Sequence, residues 1–82
     1  MTRLSAMLDA AAAKLEGVSG SPALDAEILL AHVLGRPRAF LRAHADDAVA
    51  PGDGERFRSL LARRLAGEPV AYLTGRRGFW SL

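Results

Sequence analysis

The stretch from Pro22 to Leu34 constrains this chain more than any other. Leu24, Ile28, Leu29, Leu30, Ala31, Val33 and Leu34 spread apolar surface over more than one face of a helix drawn through them. A helix that is apolar on most sides needs other helices on most sides. Its ends are well marked. Ser21 can cap the first amides, Pro22 suits the first helical position, Asp25 and Glu27 sit near the positive end of the dipole, and Gly35 supplies the stop. This helix is expected at the centre of a bundle, with Ile28 as a core residue whose truncation is costly.

The remaining segments supply its neighbours. Leu4, Met7, Leu8, Ala11, Ala12 and Leu15 follow the spacing of one helix face, which predicts a helix over about residues 3–16. Thr2 is its expected N-cap and Gly17 its expected left-handed terminator. After Pro37 a short helix is predicted from Arg38 to about His44, with Phe40 and Leu41 facing inward. A loop from Ala45 ends in Pro51-Gly52-Asp53-Gly54 and leads into a fourth helix, which runs to about Ala66 with Phe57, Leu60, Leu61 and Leu65 inside. Pro69 opens a fifth, with Val70 and Leu73 facing in and Gly75 ending it. Five helices with short connections make a small all-α bundle.

Composition agrees. Sixteen Ala and thirteen Leu, with few β-branched residues, favour helix. The absence of Cys removes disulfide scaffolds and thiol chemistry. No uncharged stretch exceeds eight residues, against the roughly 20 needed to cross a bilayer, so no membrane role is expected and the expected location is cytoplasmic. A formal net charge of +2 gives slight attraction for a phosphate backbone.

No catalytic constellation is visible. No Ser lies in a nucleophile elbow, and Gly52-Asp53-Gly54 lacks the third glycine and the preceding strand of a dinucleotide loop. His32 and His44 have no metal-ligand spacing; His32 reads as a helix-surface or partly buried imidazole, and the position of His44 near a helix C-terminus fits dipole stabilisation. The arginines are the candidate contact residues: Arg36, Arg38 and Arg42 around the third helix, and Arg63, Arg64, Arg76 and Arg77 around the fourth and fifth. A guanidinium suits carboxylate or phosphate. Interspersed acids, and the lack of aromatic–basic alternation, weigh against direct nucleic-acid binding. On the residues alone, a free-standing helical interaction module, including one that binds nucleic acid, stays open.

Residues 76–82 depart from the helical pattern. Phe79, Trp80 and Leu82 read as the start of a strand without partners, so the chain is expected to stop just inside a longer protein.

Two stretches carry a family resemblance. Asp25 to Gly35 (DAEILLAHVLG), and Arg63 to Gly75 (RRLAGEPVAYLTG) with the following Phe79-Trp80-Ser81-Leu82, resemble the HemK/PrmC family of peptide chain release factor glutamine methyltransferases. Gly78 stands where that family usually has Glu. The resemblance implies a helical N-terminal domain over residues 3–75 and the truncated start of an interdomain β-hairpin over 76–82. It also implies a separate catalytic domain that binds S-adenosylmethionine and carries an Asn-Pro-Pro-Tyr motif. This chain has no Asn at all, so the implied role is non-catalytic. That role is recognition of class 1 release factors whose Gly-Gly-Gln glutamine is methylated, with no cofactor held by these residues. Tyr72, Phe79 and Trp80 are the implied contacts to the chain's own C-terminal catalytic domain.

Overall fold

The computed structural model describes residues 2–75. They form five helices: α1 (Leu4–Leu15), α2 (Pro22–Leu34), α3 (Arg38–Ala43), α4 (Pro51–Leu65) and α5 (Val70–Thr74). Among the described residues the only β feature is an isolated antiparallel bridge between Arg3 and Ala48. The all-α bundle is thus as expected, while the hairpin start lies outside the described residues.

α2 is central, in contact with each of the other helices. Ala26, Leu29, Leu30 and Ala31 are its buried residues, and Leu29 and Leu30 are fully enclosed. Leu4, Met7, Ala11 and Leu15 bring the seam of α1 against it. Phe57 and Leu61 enter from α4, Leu41 from α3 and Leu73 from α5. The apolar breadth of α2 is not all core, however. Leu24 is 40% exposed, and Ile28 is only half-buried at the wall of a surface cleft. Placing Ile28 in the core is corrected accordingly; the short α5 reaches that face without closing over it.

The helix ends differ from the sequence reading in an instructive way. Neither Thr2 nor Ser21 makes a side-chain cap. At α1 the loop before α4 does that work with its backbone: Leu4 N–H donates to the Asp47 carbonyl at 2.9 Å, Ser5 N–H to that of Ala45 at 3.0 Å, and Val49 N–H to that of Thr2 at 2.9 Å. At α2 the polar residue that matters is Ser19, whose Oγ accepts from Ser21 N–H at 3.0 Å and donates to Asp25 Oδ2 at 2.5 Å. Gly17 is not left-handed, because α1 closes with Val18 and Ser19 N–H both donating to the Leu15 carbonyl. Gly35 and Gly67, with φ of 67° and 107°, are left-handed. Each follows the Schellman pattern, with Arg36 N–H reaching back to Ala31 and Glu68 N–H to Arg63. α4 starts at Pro51, earlier than the glycines suggest. Proline has no amide to leave unsatisfied there, and Gly54 is buried where an added Cβ would lie 3.5 Å from the end of Met7.

Candidate functional site

The left-handed Gly35 ends α2 and turns the chain so that Arg36 and Pro37 cross in front of it before α3 begins. The return from α4 brings α5 alongside the same face of α2. Between them lies an open cleft of about 590 Å³. Ile28, Ala31, Val70 and Ala71 form apolar walls; His32, Arg36 and Arg38 supply charge-bearing or polar atoms at the rim. Thr74 is turned inward, its hydroxyl donating to the Val70 carbonyl at 3.2 Å, as suits a hydroxyl only 8% exposed.

The candidate arginines fall into two groups. Arg36, Arg38 and Arg42 are exposed. The Arg36 guanidinium lies 5.2 Å from the centre of the Phe40 ring, and Phe40 stacks on His44 with ring centres 3.9 Å apart. His44 Nδ1 meets Asp47 Oδ2 at 2.6 Å. Arg38 and Arg42, one helical turn apart, line a second depression with Glu27 and Ala39, so Arg38 joins it to the cleft.

Arg63 and Arg64 are engaged inside the molecule. The turn at Gly67 folds Glu68 back onto Arg63, whose Nε and Nη2 donate to the carboxylate at 3.0 and 2.8 Å. That forked hydrogen bond, more than the charge alone, holds the Glu68 carboxyl below its ordinary range and raises the Arg63 guanidinium above its own. Arg64 is mostly enclosed: its Nε donates to Asp25 Oδ2 at 3.2 Å and its Nη1 to the Glu68 carbonyl at 3.4 Å. Asp25 thereby ties the start of α2 to the end of α4. Tyr72 is 53% exposed on α5. Arg76, Arg77, Phe79 and Trp80 lie outside the described residues.

The cleft offers one imidazole, forked cationic donors and apolar wall, a set suited to holding an acidic, partly apolar group. Among the described residues no cluster of His, Asp or Glu could hold a metal ion. Of the arginines named from the sequence, Arg36 and Arg38 line the cleft; its apolar walls were not anticipated. The available signal was the excess width of the apolar face on α2, which was assigned wholly to core.

A family model, PrmC N-terminal domain, matches residues 6–75. The chain belongs to that family. The matched region runs from within α1 to Gly75, so the cleft of this PrmC N-terminal domain is included in it. Curated relatives agree. The release factor glutamine methyltransferase of Aliivibrio fischeri is 52% identical over 68 residues, 83% of this chain and 24% of that protein. That of Vibrio cholerae is 48% identical over 80 residues, 96% of this chain and 28% of that protein. That of Escherichia coli (strain K12) is 50% identical over 64 residues, 78% of this chain and 23% of that protein. The chain therefore spans about a quarter of the length of the curated relatives it matches. Among the described residues no helix is long and apolar enough to cross a membrane.

Proposed function

We propose that this PrmC N-terminal domain is the substrate-recognition part of a longer cytoplasmic protein-(glutamine-N5) methyltransferase. In this reading residues 3–75 help to seat a class 1 peptide chain release factor so that its Gly-Gly-Gln glutamine reaches an active site elsewhere in the enzyme. The observation that carries it is the run of relatives named release factor glutamine methyltransferase, about 50% identical over most of this chain.

S-adenosylmethionine supplies the methyl group where it is bound. The described residues do not fit it: they form no strand–glycine loop–helix crevice of the kind that cradles a nucleotide. In this reading the cofactor is held by the remainder of the enzyme, and these residues act as a non-catalytic module. Their contribution is physical. Methyl transfer requires the amide nitrogen and the methyl donor in line, and contacts far from the reacting atoms can supply the binding energy for that alignment. Arg36, Arg38, Arg42, Arg63, Arg64, Arg76 and Arg77 are the proposed contact residues. Arg36, Arg38 and Arg42 are the better placed, being exposed and outside any ion pair among the described residues. Tyr72, Phe79 and Trp80 are the proposed contacts to the chain's own C-terminal catalytic domain.

The test compares the full-length enzyme with a form lacking residues 1–75, on an intact release factor and on a short Gly-Gly-Gln peptide. Loss of kcat/KM on the protein with retained activity on the peptide supports a recognition role. Equal kcat/KM on the intact factor for both enzymes refutes it.

A further inference from the structure

The cleft between α2 and α5 combines two features that a self-contained surface does not normally leave together. Its walls are apolar: Ile28 and Val70 are only partly covered by the chain's own side chains and Ala71 is open to solvent, over a floor at the buried Ala31. Its rim on the α3 side is cationic and uncompensated. Arg56, Arg63 and Arg64 each meet a carboxylate of this chain, Asp53, Glu68 and Asp25 respectively. Arg36, Arg38 and Arg42 meet none among the described residues; Glu27, across the depression from Arg38 and Arg42, stays outside ion-pair distance. The Arg36 guanidinium carbon lies over the Phe40 ring, 5.2 Å from its centre, and meets no carboxylate of the described residues.

We infer that this cleft docks an acidic peptide segment of the partner protein through one apolar anchor. A large aliphatic or aromatic side chain of the partner enters between α2 and α5. Carboxylates on either side of it pair with Arg36, Arg38 and Arg42. The anchor supplies buried apolar area and the charges supply orientation, which is how docking interfaces divide these tasks. A nucleic acid fits less well. Its phosphates have nothing to set against the apolar walls, and the aromatic nearest the arginines, Phe40, is already stacked with His44 and covered by Arg36. The inference rests on the reading of this domain as a release-factor recognition module and adds the site and the chemistry of the segment it takes.

Three variants of the full-length methyltransferase test it, each first shown to fold by circular dichroism. R38E/R42E reverses the rim, A71W fills the cleft without changing charge, and R58E alters charge in a separate depression formed with Thr2, Val49 and Gly54. For an intact release factor, KM is expected to rise about tenfold for R38E/R42E and for A71W, with kcat retained and with R58E like wild type. Wild-type KM is expected to rise with salt, and that of R38E/R42E to respond less. Unchanged KM in both cleft variants, when the wild type methylates normally, overturns the inference while leaving the recognition reading standing. An R58E effect as large as that of R38E/R42E overturns it too, because the charge effect is then not local. Arginine-dependent binding of a labelled single-stranded RNA with KM unchanged assigns the rim to phosphate and overturns it as well. A wild-type enzyme inactive on any release factor removes the functional reading, and this inference with it.

Discussion

Replacing Asp25 by alanine disconnects two ends of the bundle at once. Its Oδ2 accepts from Ser19 Oγ at 2.5 Å and from Arg64 Nε at 3.2 Å, joining the α1–α2 loop, the start of α2 and the end of α4. The magnitude follows from exposure. An open surface ion pair contributes roughly 0.2–1 kcal/mol, whereas removing one member of a fully buried pair costs about 3–5 kcal/mol. The two side chains are 16% exposed for Arg64 and 14% for Asp25, so this pair lies between those limits. Counting the lost Ser19 bond as well, D25A is expected to cost about 2–3 kcal/mol. R64A is expected to cost about 1–2 kcal/mol, because Asp25 keeps Ser19 and its place near the positive end of α2. Urea unfolding of wild type, both single variants and the double variant, followed by far-UV circular dichroism, closes the cycle. The expected coupling is about 1 kcal/mol, with most of it surviving roughly 1 M salt. Single-variant losses that simply add, to within about 0.3 kcal/mol, would show that the contact contributes no linkage and would refute the argument.

Other outcomes follow from the same structure. L30A is expected to lose about 2–5 kcal/mol of stability and L24A less than about 0.5 kcal/mol in the same urea assay; similar losses would contradict the orientation of α2. G54A is expected to stabilise by about 0.5–1 kcal/mol, since its methyl meets only ordinary contact with Met7 and α4 gains helix propensity. G35A is expected to destabilise by about 1 kcal/mol through its left-handed backbone, and a higher Tm for G35A would count against that conformation. For the Arg63–Glu68 pair the sign is set by the lowered carboxyl. Its contribution is fully present above the ordinary value of 4.5 and fades as pH falls through the lower folded-state value. Wild type should therefore melt above E68Q near neutrality and converge with it in acid, and a gap that widens towards acid would refute this.

The parts of the fold legible in the sequence are those with local causes. Pro22 and Gly35 bound α2, and Gly67 and Gly75 end α4 and α5, because proline's missing amide and glycine's left-handed backbone act within a few residues. What sequence reading assigned differently has distant causes. Thr2 is no cap because a loop more than forty residues away supplies carbonyls to α1. The density of Arg63 and Arg64 was visible, but not that a turn at Gly67 returns Glu68 to the first, or that Asp25, 39 positions earlier, meets the second. Likewise Ile28 and Leu29 are neighbours in one apolar run, and only the landing position of α5 makes one a cleft wall and the other core.

The strap from Ala45 to Val49 grips the amino end of α1 through peptide groups, not side chains. Asp46 and Ala48 point into solvent, so that grip is indifferent to which letters stand there. It is far from indifferent to how many: one residue more or fewer slides carbonyls past amides and leaves the first turn of α1 ungripped. Apart from Val49, whose side chain belongs to the core, the strap tolerates rewriting but not re-cutting: alanine at Asp46 would pass in silence where a single deletion would not.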